Sequence, residues 1–404
     1  MERTFITFTE ALETIANQVR KFPIVSVPIT EAGDCFLAED LIADRDFPPY
    51  DRVAMDGIAI NYSSFESGIL QLPIQETAAA GSPQKTLINR DDCIEIMTGG
   101  ILPNNADTVI RYEDLAIENG VANIMIDTVK QKQNIHFKGV DIKQGTVVKS
   151  KGERLSSAEI NVAAAIGKDY LKVIEMPKAA IISTGDELVD VHEKPLAHQI
   201  RRSNVYGIKN TLNEWGVPCD LKHLPDNKIE MEQIIKVLLE TYDFLVITGG
   251  VSKGKYDFLP DVLTALGVQK HFHKIQQKPG KPFWFGTSDD GKPVFALPGN
   301  PVSSFVCLYI YIRHWIRASL GTKASETYVA LSEDIQFKPD LTFFTEAKVH
   351  SGEDGVLHAT PIFGNGSGDF VNLVHTDGFL ILPQGKTVFK KGETYPFVYY
   401  RNEL

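Results

Sequence analysis

Residues 243–252, DFLVITGGVS, decide the fold. Phe244 to Ile247 are four consecutive apolar residues closed off by a glycine pair, which reads as a short strand buried on both faces. Just upstream, NKIEMEQIIKVLLETY (227–242) spaces its apolar residues as a helix does. Just downstream, DFLPDVLTAL (257–266) opens another helix. The alternation continues in both directions. AAIIS (179–183) is a second buried strand, followed by a helix from about Asn204 to Trp215 and a strand around Pro218 to Leu224. PVFAL (293–297) leads through PGNP (298–301) into a long helix, with Phe305, Leu308, Tyr309, Ile312 and Ile316 along one apolar face. Strands alternating with helices of this length predict a doubly wound, mostly parallel α/β domain over 177–325.

The flanking text differs. A capping box at Thr7–Glu10 starts a helix carrying Leu12, Ile15, Ala16 and Val19, and a second at Ser156–Glu159 starts SSAEINVAAAI, which stops at Gly167. Between them run short β-rich segments broken by Gly, Pro, Asn and Asp. The expected architecture is therefore multidomain α/β plus β. A helical and extended platform is made by 1–47 and 145–176, and an all-β lobe is inserted at 48–144. The α/β domain follows, then a small C-terminal β domain, sheet or barrel, at 326–404.

Composition narrows the function. With 404 residues, 43% hydrophobic and 23% charged, the chain has the balance of a soluble protein with a substantial core. Its apolar runs fall far short of the about 18 residues a membrane span needs, and its start lacks the layout of a signal peptide. A cytoplasmic protein without a membrane partner is expected. Fifty-two acids against 41 bases give a net charge of −11, which argues against nucleic acid as partner. Four widely spaced cysteines without a CxxC pair read as free thiols. One segment breaks the acidic trend: Lys253, Lys255, Lys270, Lys274, Lys278 and Lys281 stand against only Asp257 and Asp261. A basic segment in an acidic chain suits a small anionic ligand.

Ligands of open α/β sheets bind beyond the carboxyl ends of the strands, and four segments are expected there. STGDE (183–187) offers adjacent carboxylates. The glycines of TGGVS (248–252) let backbone N–H groups approach an anion. KPGKP (278–282) sets two lysines across a stiff turn. PGNP (298–301) places Asn300 at N-cap and Pro301 at N1, so that the helix start offers an anion site. Three other signals are set aside. Gly249–Tyr256 nearly matches a P-loop, but Tyr256 cannot take the Ser/Thr role on magnesium. GNGSG (364–368) lies between β segments and reads as a loop or bulge. His271 and His273 share a strand face without a third metal ligand.

Taken in order, the segments PPYDRVAMDG (48–57), MTGGILPNNADTVIRYED (97–114), GVDIKQG (139–145), IISTGDEL (181–188), IRRSN (200–204), TGGVSKGKYD (248–257), KPGKPFWFG (278–286) and ALPGNPVSSF (296–305) resemble the molybdopterin molybdenumtransferases. GNGSG fits the same family more loosely. The resemblance implies an enzyme that inserts molybdate into adenylylated molybdopterin and releases AMP, with magnesium as cofactor. It carries catalytic roles onto Asp56, Thr98, Asp141, Glu187, Asp226 and Asp257, with Glu187 and Asp257 as magnesium ligands. The substrate-binding candidates are Ser252, Lys274, Lys278, Lys281, Pro298, Asn300, Pro301 and Ser367. His136 stands where the family pattern usually has arginine before GxD, and Lys253 where it has valine. The resemblance further implies a homodimer and a handover of substrate from a molybdopterin adenylyltransferase. Two alternatives remain open at this point. One is an adenylyltransferase, since 177–325 alone resembles that single-domain fold. The other is a non-catalytic molybdopterin-binding scaffold, because the E domain of gephyrin, a member of the family, is also a receptor anchor.

Overall fold

The computed structural model describes residues 5–251, 258–322, 326–353 and 355–401. Contacts divide the chain into two compact units, one of Met1–Val25, Asp34–Phe36 and Lys172–Leu404, the other of Ser26–Gly33 and Leu37–Leu171. Among the described residues, no helix is long and apolar enough to cross a membrane.

The first unit holds the expected α/β sheet. Its strands are β1 (Ala179–Thr184), β2 (Cys219–Leu224), β3 (Phe244–Thr248), β4 (Gln269–His273), β5 (Trp284–Thr287) and β6 (Pro293–Leu297). Their order is β2-β1-β3-β6-β5-β4. The first four are parallel, with Ile181 opposite both Leu221 and Val246, and Val246 opposite Phe295. β5 and β4 continue the sheet antiparallel. Side chains alternate across a strand, and this alternation sorts β1 and β3 between two cores. Ile181, Phe244 and Val246 face one core with Val205, Ile208 and Leu212 of helix Asn204–Glu214. Ile182, Leu245 and Ile247 face the other, with Met231 and Ile235 of helix Lys228–Thr241 and Val262 and Leu263 of helix Leu259–Ala265. Helices on both faces are the reason Phe244–Ile247 is apolar throughout rather than alternating.

The run after PGNP departs from the single apolar face expected of it. Helix Pro301–Cys307 passes through a π-helical turn, Leu308–Ile312, into helix Arg313–Ser319. All five residues of the π turn are buried. The run is interior because material covers its far side too: Phe344 and Phe379 of the C-terminal strands share its core, as do Ala11 and Ile15 of the N-terminal helix Phe8–Ala16. Trp315 is fully buried, and its indole N–H donates to the Gln18 carbonyl at 2.8 Å. The N-terminal helix thus packs in the α/β unit, whereas helix Ser157–Ala165, grouped with it on the platform by sequence, belongs to the second unit. Both capping boxes form as expected.

The C-terminal β region closes on itself. Strands Thr327–Leu331, Thr342–Ser351, Leu357–Pro361, Gly378–Leu382 and Thr394–Tyr399 form a ring in which Thr342–Ser351 pairs with both Leu357–Pro361 and Gly378–Leu382. Closure leaves an edge open only at the start of Thr342–Ser351, where the pairing to Leu357–Pro361 begins at Ala347. A two-residue strand from the α/β domain, Gln277–Lys278, joins this ring parallel to Thr342–Phe343.

The second unit is built on a six-stranded sheet ordered Thr108–Arg111, Gly57–Ile60, Cys93–Ile96, Gln71–Ala78, Val121–Ile124, Leu115–Glu118. The lobe expected to be all β also contains a five-residue helix, Tyr62–Glu66, capped by Asn61. At Gly57 a Cβ would stand 1.9 Å from the Ile110 carbonyl oxygen, so the strand pairing there admits only glycine.

Candidate active site

Two cavities lie in the first unit at the carboxyl edge of its sheet, and both are lined by Asn300. The smaller, about 310 Å³, is lined by Thr184 and Thr248 at the ends of β1 and β3, by Glu187, Arg202 and Asn204, and by Pro301. Gly249 has φ +94°, and a Cβ there would sit 2.8 Å from the Thr184 hydroxyl. Glycine therefore both permits the turn and keeps the strand ends open. Asn204 Nδ2 donates to the Gly299 carbonyl at 2.8 Å and ties the helix start to the PGNP turn.

Charge in this cavity is arranged by loop contacts. Glu187 is exposed in the wall, in a loop whose carbonyl accepts from Ile200 N–H at 2.9 Å. Arg202 Nη2 donates to Asp190, which also accepts from the Tyr206 hydroxyl at 2.8 Å and Val191 N–H at 2.6 Å. The Tyr206 and Val191 bonds, with the Arg202 charge, hold the Asp190 carboxyl below the usual carboxylate range. Arg202 Nε is buried without a partner among the described residues. Asp226 sits beside the same loop: its N–H donates to Asp186 Oδ1 at 3.1 Å, and Asp186 N–H returns a bond to Asp226 at 3.4 Å.

The larger cavity, about 460 Å³, gathers Lys278, Lys281, Pro298, Asn300 and Ser367, with Thr345 and Glu346 from the barrel. Both lysines are exposed. Lys278 Nζ lies 5.8 Å from the Phe337 ring centroid and Lys281 Nζ 4.6 Å from that of Phe5. Lys274 does not line either cavity; its Nζ flanks the same Phe5 ring at 5.8 Å. The lysine turn is held from below by buried Gln277. Its Nε2 donates to the Pro279 carbonyl at 3.0 Å, and its Oε1 accepts from the Tyr311 hydroxyl in the π turn.

The helix start differs from expectation. Asn300 occupies the N-cap position but makes no side-chain cap; its Nδ2 donates to the Ser367 hydroxyl at 2.8 Å. Val302 N–H donates to the Ser367 carbonyl at 3.1 Å. One of the N–H groups expected to face an anion is thus spent on the GNGSG loop, which is how Ser367 reaches the site.

In the second unit, three loops are stitched together. Gly99 N–H donates to the Val53 carbonyl at 2.9 Å, and Ala54 N–H to the Asn134 carbonyl at 2.9 Å. Asp56 Oδ1 accepts from the Thr98 N–H at 2.5 Å and hydroxyl at 2.7 Å. These two bonds, the amide first, lower the pKa of the exposed Asp56 carboxyl. His136 Nε2 lies 2.9 Å from Asp141 Oδ1.

The expected site residues are therefore placed as follows. Asp56, Thr98 and Asp141 belong to the second unit, on neighbouring loops. Glu187, Asn300 and Pro301 line the smaller cavity; Lys278, Lys281, Pro298, Asn300 and Ser367 line the larger. Asp226 and Lys274 lie beside them. Ser252 and Asp257 lie outside the described residues. His271 and His273 do not share a ligand: His271 Nε2 is 2.8 Å from the Thr287 hydroxyl, and His273 Nε2 is 3.0 Å from the Val251 carbonyl oxygen. Sequence reasoning missed Arg202, Gln277, Thr345 and Glu346. Arg202 was within reach, since IRRSN was already part of the motif set. The other three carry no local signal.

Comparison with known proteins gives matches along nearly the whole chain. Residues 6–167 match the MoeA N-terminal region (domain I and II), 180–318 a probable molybdopterin binding domain, and 313–398 the MoeA C-terminal region (domain IV). A molybdopterin molybdenumtransferase from Synechocystis is 39% identical over 396 residues, covering 97% of this chain and 99% of the relative. One from Staphylococcus aureus is 31% identical over 407 residues, covering 98% and 96%. Among solved structures, a molybdopterin biosynthesis MoeA protein from Pyrococcus horikoshii matches with TM-score 0.84 at 26% identity, over 98% of this chain and all of that one.

Proposed function

The chain belongs to the molybdopterin molybdenumtransferase family, and from that premise we propose that it inserts molybdate into adenylylated molybdopterin with release of AMP. The observation that carries this reading is the pair of cavities sharing Asn300. One substrate must present a nucleotide, a phosphoanhydride and a dithiolene, while the other is a small dianion. Adjoining cavities, one edged by strand ends and Glu187, the other by two lysines, suit a long anionic substrate and an oxyanion held next to it.

Magnesium is part of the proposal. It takes hard oxygen ligands, commonly one or two carboxylates plus substrate phosphates and waters. Among the described residues no group of three His, Cys, Asp or Glu side chains could hold a metal, so a cage made by protein alone is not offered. The exposed Glu187 carboxylate, in the wall of the cavity that Thr184 also lines, fits the sparser pattern, and Asp257 is the second proposed ligand. When bound, the ion would neutralise charge developing on the anhydride as it breaks. The protein's own part is to align the anhydride against Glu187, keep the strand ends open at Gly249, and hold the oxyanion beside Lys278 and Lys281. The adenylylated substrate implies a supplying reaction that adenylylates molybdopterin. A cytoplasmic setting, where such a partner could hand it over, completes the proposal.

A homodimer is proposed as well. Ile42 and Val147 are paired across two strands, and both are nearly half exposed, at 48% and 46%. Adjacent bare aliphatic side chains favour a covering surface. Sedimentation at micromolar concentration should give twice the 44.8 kDa chain mass; a 44.8 kDa particle would count against it. The catalytic proposal itself is tested by AMP release from adenylylated molybdopterin with and without molybdate, expected only with it.

A further inference from the structure

The larger cavity contains a carboxylate that an anion site would not be expected to keep. Glu346, on barrel strand Thr342–Ser351, lines it together with Lys278 and Lys281. Among the described residues no ion pair joins it to either lysine, and the two ammonium groups lie over the rings of Phe337 and Phe5. The neighbouring barrel residue, Thr345, is 1% exposed, and its hydroxyl has no partner among the described residues.

Charged and titratable groups face Glu346 from several elements. From the loop after GNGSG comes Asp369, fixed by bonds from Asn365 N–H at 2.9 Å and Asn365 Nδ2 at 3.2 Å. From the chain end comes Tyr400, whose hydroxyl pairs with Thr376, with Arg401 and Asp377 behind it. Across the cavity are Lys278 and Lys281. Burial above all pushes the Glu346 carboxyl above its usual range; a bond from its own backbone N–H works against this, and the like charge of Asp369 adds a smaller push upward.

Resting on the reading that this cavity receives the oxyanion, we propose that Glu346 makes oxyanion binding proton-coupled, its carboxyl taking up a proton as the dianion enters. An ionised Glu346 would repel the dianion within a partly desolvated space. A neutral carboxyl instead gains an O–H that can donate to an oxyanion oxygen. The sign follows. Bound dianion raises the Glu346 pKa further above its free value, so more protons are bound in the complex than in the free protein. Affinity therefore rises as pH falls through the window between those two pKa values and is flat outside it. With one proton involved, the slope cannot exceed about tenfold per pH unit.

The test uses molybdate alone as the probe and the full chain. Titration calorimetry over a pH series that starts in the ordinary glutamate range and runs into the weakly basic range, in two buffers of different ionisation enthalpy, reads both affinity and protons taken up. For the parental protein, affinity should weaken with rising pH and protons should be absorbed on binding. Glu346→Gln should bind at high pH about as tightly as the parent does at low pH, with no proton uptake. Binding by the parent without proton uptake would overturn the inference, even if the variant did not fold. A slope retained in a folded Glu346→Gln protein would overturn it too. Lys278→Ala and Lys281→Ala separate this from the underlying reading. If both leave molybdate affinity unchanged, the oxyanion does not bind in this cavity and the reading fails. If they weaken it while Glu346→Gln keeps the slope, only the role of Glu346 is lost.

Discussion

Glu187→Gln is expected to lower molybdate-stimulated AMP release by at least about 100-fold, while affinity for adenylylated molybdopterin changes only a few-fold. The substitution keeps size and hydrogen-bonding capacity and removes one negative charge. Glu187 is exposed in the wall of the smaller cavity, so its loss leaves no hole in a core. The fold should tolerate it, because the loop is held by backbone bonds and by the reciprocal Asp186–Asp226 pair. Losing an ion ligand at the anhydride removes several kcal/mol of transition-state stabilisation, and about 2.7 kcal/mol already corresponds to ~100-fold in rate. Single-turnover AMP release and equilibrium substrate binding, measured on the same preparation, separate the two effects. Loss of binding in step with rate would mean that Glu187 holds substrate rather than metal. A parental rate would remove it from the site.

Replacing both lysines of the KPGKP turn should weaken binding rather than chemistry. A hydrogen bond to a charged group contributes about 1.5–3 kcal/mol. Lys278 and Lys281 are exposed, so the lower end applies, or about tenfold in affinity for each single alanine variant at low ionic strength. The double variant should lose roughly 100-fold if the two act independently, less if they share one anion oxygen. Substrate affinity of the parent should also fall with added salt more steeply than that of the double variant. The single-turnover rate at saturating substrate should change little. Unchanged affinity in the double variant would place the anion elsewhere.

What could be read from sequence followed from locality. Phe244–Ile247 is buried on both faces and is apolar in consequence, and the glycines after it answer to a left-handed turn pressed against Thr184. Both capping boxes are four-residue signals and form as written. The features that escaped depend on partners far along the chain. Lys278 is anchored by a strand pairing to Phe343, and Ser367 reaches the site by capturing Asn300 and Val302. Neither pairing leaves a mark near the residue concerned. The π turn escaped because Leu308–Ile312 resembles any apolar helical stretch until the barrel and the N-terminal helix are known to cover it. Glu346 reads in TFFTEAKV as an ordinary polar position of a strand. Only the closure of the barrel against the lysine turn turns that position into the wall of an anion cavity.

The central claim is transfer of molybdenum coupled to loss of AMP, and the stoichiometry of that coupling tests it most directly. Purified protein with magnesium and adenylylated molybdopterin should release little AMP until molybdate is added, and then one AMP for each molybdenum atom retained on the pterin product. AMP released equally with and without molybdate would indicate a hydrolytic or adenylyl-transferring enzyme instead. Tight substrate binding with no AMP release under saturating molybdate and magnesium would reduce the protein to a molybdopterin-binding scaffold.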